Sequence, residues 1–339
     1  MTMFQFTEDR ELDIILLGRI ALDINPDDFG KSFIENDCFH KFVGGSSANT
    51  SVGLAKMGCK VGFISCVSND ALGDYVLHFL NQYGIDTSRV ARAKNGAMLG
   101  LAFTEILPDG KTNLMMYRNE HVADLQLSVD DIDEDYIASA KCIVISGTAL
   151  SASPSREAAL KAILLAKKHN TKVVFDIDYR GQVWKSKEEI SLYYTLAARE
   201  ADLIMGSREE FDLTDYCFAP GCSDEETAAR WFAQGVSTLI IKHGGEGSYV
   251  FCDDGTKYRI LPFKVDLLKA TGGGDAYSSA FLSALLRGLP VAECAERGTA
   301  SASIAVASTN CSAALPTEDE LMAFIGERHS QGEKVIFEI

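Results

Sequence analysis

The sequence predicts an α/β fold in which a doubly wound, mostly parallel sheet lies between layers of helices. Short apolar segments alternate with helix-like segments along most of the 339 residues, which is the pattern of successive β–α–β units. Clusters of glycine and acidic residues follow the predicted strands at their carboxyl ends, where open parallel sheets bind ligands. We expect one domain with a small β appendage, because no linker or internal repeat interrupts the alternation.

In the first part of the chain, apolar runs of strand length are separated by helical segments or by turn residues. The segment "GGSSANTSVGLAKMG" predicts a glycine turn and a helix of small residues that ends at Gly58. The stretch "AMLGLAFTEILPDGKTNLMMYR" predicts two strands around the turn "PDGK". The other predicted elements are a strand at 13–18, a strand at 60–67 and a helix at 70–84.

From residue 141 the alternation is regular, and a hairpin around "DDGT" interrupts it at 247–260. Ser153 is expected to cap a helix that has Pro154 at its first position. Four strands are predicted, at 141–147, 172–180, 201–207 and 237–245. Six helices are predicted, at 153–170, 186–200, 225–235, 274–287, 290–308 and 317–328.

The balance of charge argues against two classes of partner. The formal net charge is −16, which repels nucleic acids and anionic membrane surfaces at long range but allows a small anionic ligand bound by local donors. The apolar runs are too short to span a bilayer, and the acidic segment "MTMFQFTEDRE" does not resemble a signal peptide. The expected location is therefore the cytoplasm.

Nine cysteines are scattered through the chain without a CxxC pair. Several lie within apolar strands, which is typical of reduced, buried thiols and not of a disulfide framework. The six histidines have no HExxH or other ligand spacing, so a structural zinc site is not expected.

The segment "TGGGDA" at 271–276 carries the clearest chemical signal. Gly272, Gly273 and Gly274 would let an anion approach the unpaired N–H groups of a helix start, and the N–H of Asp275 would join them. Asp275 could then orient a hydroxyl and accept its proton, as phosphoryl transfer requires. Alternatively, Asp275 is only an acid placed favourably in the first helical turn. Neither a P-loop nor a Rossmann glycine motif matches this segment.

Three motifs together resemble the ribokinase-like, or PfkB, family of carbohydrate kinases. "TGGGDA" is similar to the family's C-terminal signature, and "VGGSSANTSVGLAKMG" at 43–58 is similar to its N-terminal one. "GSREEFD" is similar to the family's NxxE motif, with Ser207 in place of the asparagine. The resemblance covers roughly residues 12–325 and implies a single kinase domain at 12–328. It also implies a three-layer αβα fold with a small β-sheet lid, built from about 20–43 and 97–120.

The resemblance also implies roles for matching residues. Asp275 would be the catalytic base, Gly272, Gly273 and Gly274 would line the anion hole, and Asp23, Gly45 and Asn49 would hold sugar hydroxyls. Glu210 would support Mg²⁺ through water, consistent with the hydration that Mg²⁺ retains in proteins. The residues implied to border ATP are Ser207, Lys242, Gly244, Gly247, Gly274 and Asn310. For Ser207 and Asn310, a plain helix-cap or turn role is an open alternative.

Three further stretches resemble the branch of the family that acts in inositol catabolism: "GRIALDINP", "VVFDIDYRGQVW" and "LLKATGGGDAY". This resemblance implies a keto-deoxy sugar acid, 5-dehydro-2-deoxy-D-gluconate, as the substrate. The guanidinium of an arginine can donate two parallel hydrogen bonds to the carboxylate of this substrate. Arg118 and Arg180 are the candidates for this contact. Either could instead contact ATP, and Arg180 could simply pair with Asp176 or Asp178.

Lys269 departs from the family pattern, in which this position is usually an aspartate that helps to bind a monovalent cation. A lysine cannot ligate a cation, so we expect its ammonium group to replace the cation and to make activity independent of potassium. The alternative is an exposed lysine at a strand end.

The expected function is therefore ATP- and Mg²⁺-dependent phosphorylation of a primary hydroxyl of a sugar acid, with a lid that excludes water and pairs between the subunits of a homodimer. Alternative substrates are 2-keto-3-deoxygluconate, fructose and a nucleoside. For a nucleoside, Phe29, Phe33 and Phe42 leave base stacking open without supporting it. A sugar or nucleotide sensor without catalytic activity is the alternative from a different class of protein.

Overall fold

The predicted doubly wound α/β architecture is confirmed. The computed structural model describes residues 5–28, 30–107, 112–268, 272–308 and 312–339. Within these residues, ten strands form one large sheet, and four strands form a second, separate sheet. Helices cover both faces of the large sheet, which makes a three-layer structure.

The large sheet is parallel over seven of its strands because helical connections return the chain to the same edge. In spatial order these strands are β5 (Asp86–Arg92), β4 (Val61–Val67), β1 (Leu12–Leu17), β8 (Ala140–Ser146), β9 (Lys172–Asp176), β10 (Leu203–Ser207) and β11 (Thr238–Lys242). Three antiparallel strands extend the sheet beyond β11: β12 (Ser248–Cys252), β13 (Lys257–Ile260) and β14 (Ile336–Glu338).

Each face of the large sheet has its own hydrophobic core. Successive side chains of a strand point to opposite faces, so Ile15 and Leu17 of β1 join one core, whereas Ile14 and Leu16 join the other. The first core contains residues of α3 (Glu134–Ala138), α4 (Ser155–Lys168), α5 (Lys187–Ala198), α6 (Arg208–Asp215) and α7 (Asp224–Phe232). The second contains residues of α1 (Ser46–Lys56), α2 (Ala71–Gln82), α8 (Gly273–Leu286) and α9 (Val291–Val306).

A last helix, α10 (Glu318–Ser330), packs beside α9 and buries Leu321 and Ile325. Its start is capped, because Thr317 and Glu320 form a capping box. In the described part of the chain, no helix has the length and apolar character needed to cross a membrane.

The small sheet is formed from the two stretches expected to contribute lid strands. Its strands, in spatial order, are β3 (Phe39–Gly44), β2 (Ala21–Pro26), β6 (Gly100–Ile106) and β7 (Thr112–Tyr117). Asp23 is paired with Phe42 of β3 and Ala102 of β6. The predicted "PDGK" turn between β6 and β7 lies outside the described residues.

Two predicted boundaries were wrong. Helix α4 begins at Ser155 and not at Pro154, and the Ser153 hydroxyl donates to Glu157 at 2.7 Å instead of accepting a helix N–H. Strand β9 ends at Asp176, four residues before the predicted end. Asp178 has a φ of 36°, a left-handed conformation that a continuing strand does not allow.

Candidate active site

Asp275 lies in the first turn of α8, where close helix packing places it beside Asn49. A Cβ on Gly53 of α1 would meet the Ser279 hydroxyl of α8 at 2.5 Å, so only a glycine allows the two helices to approach this closely. One turn toward the start of each helix, the Asn49 amide donates to the Asp275 carboxylate at 2.7 Å. The Asn49 carbonyl oxygen is buried and has no partner among the described residues, which leaves an acceptor for a ligand hydroxyl.

The start of α8 offers backbone N–H groups beside an ammonium group. Gly272 precedes the helix in a left-handed conformation with a φ of 87°. A Cβ on Gly274 would lie 3.8 Å from the Lys242 Nζ, which comes from the end of β11. A helix start and a nearby cation together favour a bound anion. Lys269, the residue expected to replace a cation, lies outside the described residues.

Burial and, to a smaller extent, the charge of Asp178 raise the pKa of Asp275 to about 6. The Asn49 hydrogen bond and the charges of Arg180 and Arg19 act in the opposite direction. Asp275 is therefore ionised at neutral pH, yet it can hold a proton more readily than an exposed aspartate does.

Asp23 and Gly45 lie at the junction between the small sheet and α1. The Asp23 carboxylate occupies the place that a Cβ on Gly44 would need, so the glycine makes room for it. Gly45 precedes α1 with a φ of 98°, and a Cβ there would come within 2.6 Å of the Arg19 carbonyl oxygen. Both features keep the entrance to α1 open next to the Asp23 carboxylate.

Asp178 is the centre of a buried polar cluster between β8, β9 and α1. It accepts hydrogen bonds from Ser46 and, at 2.8 Å, from Ser146. Arg180 forms an ion pair with it at 3.1 Å, as one of the alternatives for Arg180 anticipated. Burial opposes ionisation of Asp178, but the charges of Arg180 and Arg19 and the two hydroxyls outweigh it and lower its pKa to about 2.

Ser207 and Glu210 form a capping box at the start of α6. The Glu210 carboxylate accepts the Ser207 N–H at 2.7 Å and the Tyr179 N–H at 2.7 Å. These bonds use about half of its lone pairs and leave the others available to metal-bound water. In the described ranges, no group of three His, Cys, Asp or Glu side chains is placed to hold a metal by itself. The free lone pairs of Glu210 are of the kind that can hold water on a Mg²⁺ ion, which keeps several of its waters in proteins.

Lys242 ends β11, and Gly244 and Gly247 follow it at the same edge of the sheet. Gly244 and Gly247 have φ values of 57° and 97°, and a Cβ on Gly247 would collide with the Ile260 carbonyl oxygen. The exposed loop can therefore turn tightly beside the start of α8. Asn310, the other residue expected near ATP, lies outside the described residues.

Arg118 follows β7 and is buried. It forms an ion pair with Asp124 at 2.7 Å, with both side chains about 3% exposed. Its second terminal nitrogen is also buried and has no partner among the described residues. Arg118 thus has one terminal NH₂ group left for a ligand.

A family model decides the relationship of this chain to known proteins: the model for "pfkB family carbohydrate kinase" matches residues 12–318. The chain belongs to the pfkB family. It is therefore a phosphotransferase that has an alcohol group as acceptor. The match contains the expected N-terminal and C-terminal signatures, with Asn49 and Asp275 in hydrogen-bond contact.

Curated relatives of this pfkB kinase cover almost its whole length. It is 52% identical over 336 residues to a 5-dehydro-2-deoxygluconokinase of Clostridium perfringens, with 99% of each chain covered. It is 51% identical to a protein of the same name from Clostridium tetani, again with 99% of each chain covered. The identity to another from Geobacillus kaustophilus is 43%, with 98% of each chain covered.

Solved structures share the fold of this pfkB kinase. A PfkB protein from Polaromonas sp. JS666 superposes with a TM-score of 0.80 at 28% identity, covering 92% of this chain and 99% of its own. A fructokinase with bound ATP from Xylella fastidiosa superposes with a TM-score of 0.81 at 20% identity, covering 94% of this chain and 99% of its own. These similarities confirm the ribokinase-like fold.

Sequence reasoning missed three charged residues of this site as functional groups. Arg19 follows β1 and interacts electrostatically with Asp275 and Asp178. Asp176 accepts a hydrogen bond from Ser278 at 3.2 Å, and burial raises its pKa to about 7. The missed signal was positional, since Arg19 and Asp178 follow buried strands and Asp176 ends one, all at the ligand-binding edge.

Proposed function

We propose that this pfkB kinase transfers the γ-phosphate of ATP to a primary hydroxyl of 5-dehydro-2-deoxy-D-gluconate, with Mg²⁺ as cofactor. The observation that carries the proposal is the position of Asp275 at the start of α8, beside Asn49 and near Lys242. The names of relatives about 50% identical over the whole chain support the choice of substrate.

In the proposed reaction, Asp275 is the general base. The substrate hydroxyl gives its proton to the Asp275 carboxylate as its oxygen forms a bond to the γ-phosphorus, and the bond from that phosphorus to ADP breaks. A pKa of about 6 suits this role, because the group is ionised at neutral pH and still basic enough to accept a proton.

The anion hole is proposed to consist of Gly272, Gly273 and Gly274 with the N–H groups that begin α8. Negative charge on the transferring phosphoryl group would meet these N–H groups and the positive end of the helix dipole. The Lys242 ammonium would add a positive charge beside Gly274. Such donors stabilise the transition state without reorganising.

The remaining contacts to ATP are proposed for residues at the same edge of the sheet. The Ser207 hydroxyl accepts a helix N–H and can still donate its own proton to a phosphate oxygen. Gly244 and Gly247 would border the nucleotide, and Asn310 would lie near the adenine. Glu210 would hold water on Mg²⁺, and the ion, when bound, would supply positive charge to the phosphates.

Asp23, Gly45 and Asn49 are proposed to bind the hydroxyls of the sugar acid. Asp23 supplies acceptors, and the Asn49 carbonyl oxygen supplies another because its amide nitrogen is already engaged by Asp275. Arg118 and Arg180 are proposed to lie against the anionic part of the substrate, where a guanidinium can donate two parallel hydrogen bonds to a carboxylate.

The small sheet is proposed to act as a lid over the bound sugar and to pair with its copy in a homodimer. Asp23 and Ala102 share one face of this sheet, and Phe103 points to the other. Phe103 contacts Phe33 and Tyr117 on that outer face, where Phe33 is 39% and Tyr117 65% exposed. A second copy of the lid would cover this apolar surface.

A cytoplasmic location is proposed for the enzyme. Eight cysteines in the described part of the chain are free thiols, four of them buried. Free thiols persist in a reducing compartment, and such a compartment also supplies ATP. Lys269 is further proposed to make the activity independent of monovalent cations, and assays in potassium-free buffer with and without added K⁺ test this.

A substrate panel tests the proposed function. ADP release is measured with ATP, Mg²⁺ and, in separate reactions, 5-dehydro-2-deoxy-D-gluconate, 2-keto-3-deoxygluconate, fructose and adenosine. We expect the largest kcat/KM for the first compound. A larger value for another compound would replace the proposed substrate, and binding without ADP release from any compound would favour a sensor.

A further inference from the structure

Arg19 is a buried arginine for which the described protein provides no counter-ion. It follows β1 and only 7% of its surface is exposed. Its Nε is fully buried without a hydrogen-bond partner, and its side chain forms no ion pair or hydrogen bond with any described residue. An arginine does not lose its proton in proteins, so a positive charge remains at this position.

The neighbouring arginines differ from Arg19 because each already has a carboxylate. Arg118 is paired with Asp124, and Arg180 is paired with Asp178. Burial and the charges of Arg180 and Arg118 act against the charged form of Arg19 and lower its pKa from the ordinary value, although the charges of Asp178 and Asp23 oppose this. A buried charge without a directly paired anion is unfavourable until an anion binds to it.

Arg19 lies within electrostatic reach of residues from three sides of the candidate site. Its charge interacts with Asp23 of the small sheet, with Asp178 after β9 and with Asp275 of α8. It forms no ion pair with any of these carboxylates, and Asp275 takes its hydrogen bond from Asn49 instead. The guanidinium thus lies within electrostatic reach of carboxylates from both the lid and α8, between which the sugar is proposed to bind.

We propose that Arg19 binds the carboxylate of the sugar acid and is a specificity-determining residue of this kinase, with the unpartnered terminal NH₂ group of Arg118 as a second donor. This inference rests on the proposed function, because it names the group that distinguishes the proposed substrate from neutral sugars.

The chemistry of the proposed substrate fits this placement. In 5-dehydro-2-deoxy-D-gluconate the carboxylate and the primary hydroxyl are at opposite ends of the carbon chain. Arg19 would hold one end while Asp275 acts on the other. A neutral sugar such as fructose would leave the Arg19 charge buried and unpaired, and sites that leave a buried polar group unpaired reject such ligands strongly.

ATP is the other anion in the reaction, but its phosphates have a separate set of donors. Lys242 and the start of α8 lie together at the end of β11, whereas Arg19 follows β1 and contacts the entrance of α1 through its carbonyl oxygen. The experiment therefore measures sugar-acid and nucleotide binding separately.

Calorimetric titrations compare the wild type with Arg19→Met, which keeps an unbranched, flexible apolar stem and removes the charged guanidinium. The ligands are 5-dehydro-2-deoxy-D-gluconate, its carboxamide and a non-hydrolysable ATP analogue. We expect Arg19→Met to weaken binding of the acid about 30-fold or more and to change binding of the carboxamide and the nucleotide less than about threefold. Arg199→Met, at the exposed end of α5, is the matched control and should bind all three ligands as the wild type does.

Two further measurements separate specificity from folding. Arg19→Met without ligand should melt within about 3 °C of the wild type, because the loss of an unfavourable buried charge offsets the loss of its attraction to Asp178 and Asp23; a much lower melting temperature would indicate a structural role and overturn the proposal. Arg19→Lys keeps the charge but lacks the paired, planar N–H donors of a guanidinium. Its affinity for the acid should therefore lie between those of the wild type and Arg19→Met.

The possible failures are distinguishable. Equal losses for acid and carboxamide, or weaker binding of the nucleotide alone, would overturn the role of Arg19 and leave the proposed substrate standing. A wild type that phosphorylates neutral sugars and binds no sugar acid would overturn the proposed substrate and the role of Arg19 together, while the kinase activity would stand.

Discussion

Asp178 and Asp275 are two buried carboxyl groups of one site whose surroundings shift their pKa values in opposite directions. Asp178 receives two hydroxyl hydrogen bonds and an arginine ion pair, and its pKa falls to about 2. Asp275 receives one hydrogen bond, from the Asn49 amide, and its pKa rises to about 6. Burial acts against the charged form at both positions, so the difference comes from the donors and charges around each group.

This difference suits two tasks. A carboxylate that stays ionised at every physiological pH can hold Arg180 and the start of α1 in place. A carboxylate with a raised pKa can accept a proton from a substrate, because fewer interactions stabilise its charged form. The comparison therefore predicts that substitution of Asp275 affects catalysis most, and that substitution of Asp178 affects stability most.

The largest expected effect follows from Asp275→Asn, which keeps the shape of the side chain and removes its basicity. We expect kcat to fall by about 100-fold or more, while the affinity for an ATP analogue stays nearly unchanged. Steady-state ADP release and calorimetric titration measure the two quantities. The variant should not melt below the wild type at pH 8, because a poorly solvated carboxylate is removed. Turnover like that of the wild type would contradict the assignment of Asp275 as the base.

Asp178→Asn tests the other half of the comparison. Asparagine tolerates the left-handed φ of 36° at this position, so the substitution removes the charge and leaves the backbone conformation allowed. Loss of one partner of a buried ion pair should lower the free energy of unfolding by about 3 kcal/mol at pH 7. Urea denaturation measures this change in the free energy of unfolding. Asp254→Asn, in the exposed turn after β12, is the control, and its free energy of unfolding should change by less than about 0.5 kcal/mol.

The pH dependence of these stability differences has opposite signs. Because the pKa of Asp178 is lowered, its contribution is present above the unfolded value of 3.8 and is lost as the pH falls toward about 2. Because the pKa of Asp275 is raised, its contribution is present below 3.8 and is lost as the pH rises through about 6. The difference in the free energy of unfolding between the wild type and Asp178→Asn should therefore be smaller at pH 3 than at pH 5. Urea denaturation at both pH values measures it, and an unchanged difference would contradict this account.

The sequence predicted the α/β architecture because strand and helix periodicities are local properties. The two signatures also marked Asn49 and Asp275 as candidate site residues, and the structure places these two side chains in contact. The bend after β9 could not be predicted, since the conformation of Asp178 depends on hydroxyls of Ser46 and Ser146, which are distant in the chain. Arg19 was missed for a related reason: its lack of a counter-ion is evident only when all its neighbours are known.

The smallest expected effect is on the pH profile of activity, and it tests whether Asp275 accounts for that profile. Since the base must be ionised, log kcat/KM should rise with unit slope up to about pH 6 and level off above pH 7. Asp176 complicates the assignment, because burial and its acidic neighbours raise its pKa to about 7. The profile of Asp176→Asn distinguishes them. If Asp275 is the base, log kcat/KM of Asp176→Asn still rises with pH up to about pH 6. If this rise is lost in the variant, the titrating group is Asp176, and the assignment of Asp275 as the base is wrong.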